Sequence, residues 1–275
     1  MRKAMQLKSK IKNLALKNKI PAQAVLQNFM LERLLERIAN SNYRDKFILK
    51  GGMLIASMIG IGSRTTMDMD ATVRGYPLSD EAIQNAFAEI CSIPLNDDVI
   101  LTLNSITPIR DEDEYGGFRL MINAKYETIN TPLKVDITTG DIITPEAVRY
   151  TFHSSFEEKK IEIWAYNIET ILAEKVETIL RRSVLNTRPR DFYDVYILMK
   201  IHQQMIDKDI FIAALNATAQ KRVSLTALQD QRKILQAIQS DSLMKRRWDL
   251  YCKENFYANK IEFDDVINSL VEILK

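Results

Sequence analysis

The sequence predicts an α+β protein, with a mixed sheet and helices in residues 1–165 and an α-helical C-terminal domain in residues 166–275. Three observations support this prediction. Runs of β-forming residues bounded by Asn, Asp, Gly and Pro are confined to the first part of the chain. Apolar residues at helical spacing open the chain and fill its second part. The composition, 46% hydrophobic and 27% charged, is that of an ordinary globular protein.

The chain begins with a basic segment. Residues 2–19 contain seven lysines and arginines and no acid, and apolar residues such as Leu7 and Ile11 recur at helical spacing. The segment can contact nucleic-acid phosphate or an acidic partner protein. Alternatively, it is a helix that packs on the body of the protein and exposes its lysines to solvent. Pro21 then opens a long amphipathic helix that extends to Ala39.

A phosphate-binding turn is predicted after the first strand. The apolar run Phe47–Leu49 leads into Gly51 and Gly52, which open a helix of roughly Met53–Ile59. Glycine lets a backbone turn sharply and approach a ligand closely. The free amides and the positive dipole end of the helix attract an anion.

The next strand carries two acids separated by one residue. Residues i and i+2 of a strand point to the same face, so Asp68 and Asp70 lie side by side, with Thr66 in the same row. Two neighbouring carboxylates are unfavourable unless a cation neutralises them. Mg²⁺ does this well, because it is commonly shared between one or two carboxylates and substrate phosphates. Phosphates and a metal ion would then meet in one cleft.

A third acid lies on a later strand. A capped helix and three β-type runs are predicted at Asp80–Ile90, Val99–Ile109, Gly117–Thr128 and Leu133–Thr138. The last run contains Asp136 between two apolar neighbours, so its side chain faces away from the core. Beside Asp68 and Asp70 it would complete a three-carboxylate metal site. Alternatively, it is a surface acid paired with Lys134 or Lys125.

The second part of the chain has a helical pattern. A run capped by Asn167 or Thr170 carries Lys175, and the next run carries Asp191 and Asp194 about one turn apart. An antiparallel pair of these helices would bring the lysine to the two acids, although a surface salt-bridge cluster is the alternative. Further helices are predicted at Lys208–Gln220, Ser224–Gln239, Ser242–Phe256 and Phe263–Leu274.

A basic run precedes a tryptophan in one of these helices. Lys245, Arg246 and Arg247 are followed directly by Trp248. Such a run can contact backbone phosphate while the aromatic ring stacks on a base. Alternatively, it is an ordinary exposed helix face with the tryptophan buried.

Cysteine usage and hydropathy indicate a compartment. Cys91 and Cys252 have no paired spacing, so neither a disulfide framework nor a zinc site is expected. No apolar run reaches the ~20 residues that span a bilayer, and no secretory signal opens the chain. We therefore expect a cytoplasmic protein with no membrane partner, and favour a monomer.

Five motifs occur in an order and spacing that resemble those of the AbiEii/AbiGii family. Members of this family are nucleotidyltransferase-like toxins of bacterial toxin–antitoxin and phage abortive-infection systems. The motifs are Lys50-Gly51-Gly52, Arg64-Thr65-Thr66-Met67-Asp68-Met69-Asp70, Lys134-Val135-Asp136, Glu174-Lys175 and Arg190-Asp191-Phe192-Tyr193-Asp194. The resemblance covers about Phe47–Leu198. One departure is Met53, where a Thr commonly follows the two glycines, so a hydroxyl near the phosphates is missing.

The resemblance implies a polymerase-β-like nucleotidyltransferase core, a helical C-terminal domain, NTP as substrate and Mg²⁺ as cofactor. Relatives transfer nucleotides to the acceptor end of tRNA, which blocks translation and growth, and a cognate antitoxin is encoded beside the toxin. By position, the implied metal ligands are Asp68, Asp70 and Asp136. The implied catalytic residues are these three with Lys175 and Asp191, and the implied substrate-binding residues are Lys50, Gly51, Gly52, Arg64, Thr66 and Asp194.

These roles suggest how an Mg²⁺-dependent transfer of NMP to RNA would proceed. Asp136 would orient or deprotonate the acceptor hydroxyl, and Lys175 would offset the charge of the triphosphate. Two other classes stay open: a nucleotidyltransferase that modifies a small molecule or a protein hydroxyl, and a non-catalytic nucleotide-binding or RNA-binding protein. The basic stretches at residues 2–19, 181–190 and 245–247 favour RNA. The intact set of acids argues against a non-catalytic protein.

Overall fold

The computed structural model describes residues 2–109 and 116–275, with the side chain of Arg2 left out. The chain divides into two compact units. The first contains the chain up to Asp141 together with Val148–Ala165, and the second contains Ile142–Ala147 together with Tyr166–Lys275.

The first unit is built on a mixed sheet. Its described strands are β1 (Phe47–Lys50), β2 (Asp68–Val73), β3 (Val99–Ile109), β4 (Gly117–Tyr126), β5 (Ile129–Thr139), β6 (Val148–His153) and β7 (Lys160–Ala165). They form one seven-stranded sheet in the order β3-β4-β5-β2-β1-β7-β6. The β2–β5 and β1–β7 pairs are parallel and the other pairs are antiparallel. The predicted α+β class is confirmed.

Four helices of the described part of this unit accompany the sheet. They are α1 (Arg2–Asn18), α2 (Ala22–Ala39), α3 (Gly51–Ile59) and α4 (Asp80–Ser92). Pro21 occupies the N-cap of α2, and Ser79 caps α4 by accepting a hydrogen bond from the amide of Ala82 at 3.2 Å. Both starts follow the sequence signals for a helix N-terminus.

The hairpin between β4 and β5 is tighter than the sequence patterns predicted. β4 ends at Tyr126 and β5 begins at Ile129, so the turn contains only Glu127 and Thr128. Residues 129–132, predicted as a loop, continue the strand pairing. Pro132 is accommodated there, and its carbonyl accepts a hydrogen bond from Gln27 of α2 at 2.9 Å. Strands β6 and β7 were not individually predicted.

A buried carboxylate on α2 fixes the turn that joins β6 and β7. Glu32 is fully buried; it accepts hydrogen bonds from the Ser155 amide at 2.9 Å, from Ser154 Oγ at 2.5 Å and from Asn28 Nδ2 at 2.8 Å. Burial raises the pKa of Glu32, although the hydrogen bonds from Ser154 and Ser155 and the charge of Arg33 act in the opposite direction.

Replacing Glu32 by glutamine should change how stability depends on pH. Because the folded pKa of Glu32 lies above its ordinary value of 4.5, the wild type gains stability as the pH falls through the folded pKa, and the gain is complete near 4.5. Glu32→Gln lacks this titration. Urea denaturation of both proteins at pH 7 and pH 5 should show the wild type gaining stability relative to the variant at pH 5. Parallel pH profiles would contradict the prediction.

The second unit is helical. Its helices are α5 (Ile168–Arg182), α6 (Pro189–His202), α7 (Lys208–Lys221), α8 (Leu225–Gln229), α9 (Gln231–Ser240), α10 (Ser242–Glu254) and α11 (Phe263–Ile273). Asn167 caps α5 by accepting from the Thr170 amide at 2.7 Å. Its Nδ2 also donates to the carbonyls of Thr144 at 2.8 Å and Glu146 at 3.0 Å, which ties the segment before β6 to this unit.

Two details of this unit resolve sequence-based expectations. The single helix predicted at Ser224–Gln239 is wrong, because the chain leaves helical geometry at Asp230 and forms two shorter helices. Trp248 is 2% exposed and its indole nitrogen donates to the carbonyl of Ile261 at 2.9 Å. The buried alternative for Trp248 is therefore confirmed, and its ring does not stack on a base.

Both cysteines are free thiols, and burial raises the pKa of each to about 11. Within the described residues, no helix is long and apolar enough to cross a membrane.

Candidate active site

A row of charged side chains crosses four adjacent strands of the first unit. Asp70 of β2 lies opposite Lys50 of β1 on one side and opposite Asp136 of β5 on the other. Asp136 in turn lies opposite Arg119 of β4. Directly opposed residues share a face of the sheet. We call these four residues the charged row. The structure thus brings Asp136 beside Asp70, as the sequence interpretation required.

The neighbouring row contains Asp68 and its strand partner Lys134. Lys134 Nζ lies 2.9 Å from Asp68 Oδ2 and 3.7 Å from Asp136 Oδ2, so the ammonium group bridges carboxylates of β2 and β5. Burial lowers the pKa of Lys134, but the hydrogen bond and charge of Asp68 and the charge of Asp136 outweigh burial and raise it above its ordinary value. Lys134 is therefore a cation at neutral pH.

Arg119 holds Asp136 from the other side. Its Nε and Nη2 donate to the two carboxylate oxygens of Asp136, each at 2.8 Å. Such a bidentate pair fixes the orientation of a carboxylate. The suggested pairing of Asp136 with Lys134 is found at 3.7 Å, but Arg119 is the closer partner.

The two glycines bring the N-terminus of α3 against these acids. Gly51 has φ +67°, and a Cβ added there would lie 2.1 Å from Asp70 Oδ2. A Cβ on Gly52 would lie 2.8 Å from Thr66 Oγ1 and 3.1 Å from Arg64 Nη2. No other residue type leaves room for these contacts. The anion-attracting end of a helix is thereby placed next to a carboxylate.

The residues before β2 are ordered around Asp68. Thr66 is buried and its hydroxyl donates to Asp68 Oδ1 at 2.9 Å. Arg64 is also buried, and its guanidinium donates to the carbonyl of Thr65. Asp68 and Asp70 are half-buried, and the side chain of Asp68 is 29% exposed.

Lys50 has an acidic partner that the sequence analysis did not identify. Its Nζ lies 2.5 Å from Asp141 Oδ2, and the same oxygen accepts from Thr138 Oγ1 at 2.9 Å. Asp141 follows the end of β5 by two residues. The predicted role of Lys50 in substrate binding stays a prediction.

Asp68 and Asp70 fit a divalent cation that is shared with a triphosphate. Both offer hard oxygen donors on one face of β2, beside a helix N-terminus. Among the described residues, no group of three His, Cys, Asp or Glu side chains is arranged to hold a metal ion. The role of Asp136 as a third ligand therefore stays a prediction.

The predicted residues of the second unit converge between α5 and α6. Lys175 Nζ lies 2.5 Å from Asp191 Oδ1 and 3.1 Å from Asp194 Oδ2. Asp194 is fully buried and Asp191 is 6% exposed, so the cluster is not a surface salt bridge. Within the part of the chain that the structure covers, Asp191 Oδ2 has no hydrogen-bond partner. The catalytic roles of these three residues stay predictions.

A second buried acid on α5 was not singled out from the sequence. Glu177 is fully buried and accepts from Arg222 at 2.6 Å, from Arg181 at 2.8 Å and from Ser224 Oγ at 2.8 Å. Its partners lie on α5 itself and on the end of α7 and the turn after it, so the cluster joins these helices.

Two solved structures share the fold. MenT4, described as nucleotidyltransferase toxin Rv2826c from Mycobacterium tuberculosis H37Rv, is 13% identical with a TM-score of 0.59, covering 97% of this chain and 98% of that chain. JHP933 from Helicobacter pylori is 17% identical with a TM-score of 0.53, covering 92% and 91%. At these identities the likeness establishes the fold alone. No curated protein sequence matches the chain.

The class of protein follows from the family comparison: the chain is a nucleotidyltransferase of the toxin–antitoxin type. The matching model is described as "Nucleotidyl transferase AbiEii toxin, Type IV TA system" and covers residues 33–269. The chain therefore belongs to the AbiEii family, and the resemblance read from the motifs is confirmed. Membership implies a nucleotide substrate and a cognate antitoxin.

Proposed function

We propose that this enzyme transfers a nucleoside monophosphate from an NTP to an RNA acceptor, with Mg²⁺ held by Asp68 and Asp70. One observation carries the proposal: Gly51 and Gly52 hold the N-terminus of α3 in contact with Asp70 and Thr66. A helix N-terminus favours phosphate, and paired carboxylates favour the cation that accompanies a triphosphate. The N-terminus of α3, which favours phosphate, and the carboxylate of Asp70, which favours the cation, lie next to each other in the first unit.

In the proposed reaction a hydroxyl oxygen of the acceptor attacks the α-phosphorus of the NTP. The bond from that phosphorus to the bridging oxygen breaks, pyrophosphate leaves, and the hydroxyl proton passes to Asp136. The amides of α3 bind phosphate oxygens, and Arg119 holds Asp136 in a fixed orientation. When bound, Mg²⁺ supplies charge stabilisation to the phosphates. Catalysis of this type depends mainly on positioning and electrostatics.

For the acceptor we propose the 3′ end of tRNA, as the motif resemblance implies. The basic N-terminal segment supports a polyanionic acceptor over a cationic small molecule. Because NTP and RNA acceptors are found in the cytoplasm, the proposal places the enzyme there, acting as a growth-arresting toxin in phage defence.

The test uses purified protein with Mg²⁺, total bacterial RNA and each of the four NTPs labelled at the α-phosphate. We expect one or more RNA species to gain label. The label must come from the α-phosphate, because pyrophosphate leaves. If only a small molecule or protein gains label, or nothing does, the RNA assignment is overturned.

Lys134 should compete with the metal ion. Its ammonium group bridges Asp68 and Asp136, so Lys134→Met should tighten Mn²⁺ binding to the NTP-free protein by about three- to tenfold. Lys125→Met is the matched control, because Lys125 is an exposed lysine on the adjoining strand β4. Mn²⁺ titration followed by electron paramagnetic resonance measures the affinity. Equal affinities in the two variants would contradict the prediction.

A further inference from the structure

The first helix of the chain lies outside the matched family model, which begins at residue 33. It packs on the first unit through Ala4, Leu7, Ile11 and Ala15, which are all buried. Its remaining surface exposes Lys8 and Lys12 on one flank and Lys10 and Lys17 on the other, and we call these four residues the α1 lysine face. Among the residues that the structure describes, no acid lies within salt-bridge distance of these four lysines.

The ends of α1 are anchored to the sheet and to the site region. At its start, Lys3 Nζ lies 2.6 Å from Asp98 Oδ2, and the amide of Ala4 donates to Glu127 at 3.0 Å. At its end, Asn18 packs against Gly62, where an added Cβ would lie 2.6 Å from Asn18 Oδ1. Gly62 belongs to the loop that continues into Thr66 and β2. The helix is about 25 Å long at ~1.5 Å per residue, so it reaches from the β4–β5 turn to the loop before the catalytic strand.

The charge of α1 is unfavourable for an isolated helix. The segment contains no acid in its first turn, where the helix dipole favours one. Lys8 and Lys12 are four residues apart, so they repel each other along the same face. An external anion would relieve the repulsion between the lysines, whereas the start of the helix already has the carboxylate of Glu127, which accepts from the Ala4 amide.

The chemistry of this face favours a nucleic-acid backbone over other anionic partners. A membrane surface would need a continuous apolar face to insert, whereas the exposed side of α1 offers two separate large apolar side chains, Met5 and Leu16. Lysine is depleted from the cores of protein interfaces. Exposed Ser9 and Asn13 lie between the lysines, and hydroxyl and amide groups commonly join lysine in contacts with phosphate.

We propose that the α1 lysine face binds the phosphate backbone of the RNA acceptor and guides it toward the loop before β2. This inference rests on the proposed function, because it takes the acceptor to be RNA. It adds a binding surface separate from the Asp68 and Asp70 site.

The experiment compares a fourfold variant, Lys8→Gln with Lys10→Gln, Lys12→Gln and Lys17→Gln, with a matched control in the second unit. The control carries Lys208→Gln, Lys233→Gln, Lys253→Gln and Lys260→Gln, which remove the same charge from exposed positions. Circular dichroism and thermal melting establish that both proteins are folded. Affinity for bulk tRNA is then measured between about 50 and 200 mM salt, because phosphate contacts weaken strongly over this range.

We expect the α1 variant to bind tRNA at least about tenfold more weakly at the lowest salt. Its slope of log affinity against log salt concentration should be smaller by about three, because about three fewer counterions are released. The control should bind as the wild type does, and NTP binding should be unchanged in both. If the α1 variant binds tRNA as tightly as the control, the inference is overturned. It is also overturned if the variant loses only binding to purified cognate antitoxin.

The two proposals fail in different ways. If the wild type labels RNA and the α1 variant labels it equally well, the binding surface is wrong and the transfer reaction stands. If the wild type labels no RNA but tRNA binding depends on the α1 lysine face, the surface stands and the transfer to RNA is wrong.

Discussion

Replacing Asp68 by asparagine should lower the rate of nucleotide transfer by about a hundredfold to a thousandfold while the protein stays folded. The amide has nearly the same shape, and its oxygen can still accept the hydrogen bond from Thr66. It has no charge with which to hold a divalent cation, and it leaves Lys134 with one carboxylate fewer. The rate of transfer of an α-labelled nucleotide to RNA measures the loss.

Asp45→Asn is the matched control for this change. Asp45 is a half-exposed acid of the first unit that accepts from the indole nitrogen of Trp164 at 2.8 Å and from Arg149 at 2.9 Å. Its replacement removes the same charge away from the charged row, so the transfer rate should stay within about twofold of the wild type. Full activity, or full growth arrest on expression, in Asp68→Asn would show that the assigned metal site is wrong.

Gly51→Ala should impair both stability and activity. The backbone at Gly51 has φ +67°, which costs an L-residue about 1–2 kcal/mol. Its Cβ would also stand 2.1 Å from Asp70 Oδ2, so the carboxylate must move. We expect a total loss of about 2–4 kcal/mol in the free energy of unfolding. Transfer should fall by about a hundredfold or more, because Asp70 and the end of α3 no longer fit together.

Two other glycines separate these effects. Gly75 has φ +59° with no atom within 4 Å of an added Cβ, so Gly75→Ala should lose stability through backbone strain and keep its activity. Gly52→Ala meets Thr66 Oγ1 at 2.8 Å, so it should lose activity through a displaced hydroxyl. Chemical denaturation and the labelled-transfer assay measure the two quantities. Equal activity in Gly51→Ala and Gly75→Ala would remove the steric argument for the phosphate-binding turn.

Local patterns were sufficient for the parts of the site that lie close together in sequence. The prediction that Asp68 and Asp70 share a face requires only that their segment is a strand, and β2 begins at Asp68. The Gly51 and Gly52 pair predicts a turn into a helix, and α3 begins at Gly51. In both cases the physical cause is the geometry of a single element.

Pairing across strands was harder to predict because it depends on register. Arg119 faces Asp136 because the turn of Glu127 and Thr128 sets Tyr126 opposite Ile129, and each step away from the turn preserves that pairing. The position of this turn therefore determines that Arg119 is the partner of Asp136. The contact of Lys50 with Asp141 joins separate segments, and no local pattern specifies it.

The break at Asp230 illustrates a different limit. Apolar spacing continues through both α8 and α9, so periodicity alone predicts one helix. Asp230 instead takes φ −90° and ψ 12°, and ends one helix at the point where the next begins. Short polar side chains of this kind compete for backbone hydrogen bonds, but whether they interrupt a helix depends on the packing around them.

The parallel pairing of β2 with β5 also has a consequence during protein synthesis. Asp70 and Asp136, which are paired across these strands, are 66 residues apart in sequence. Thr72 and Thr138 are paired at the same separation, and the Thr72 hydroxyl donates to the Thr138 carbonyl. Long-range pairings of this kind form slowly, because closing the long intervening loop costs conformational entropy. A ribosome-bound fragment that ends before β5 therefore lacks the juxtaposed acids, so under the proposed mechanism the toxin cannot act until most of the first unit has emerged.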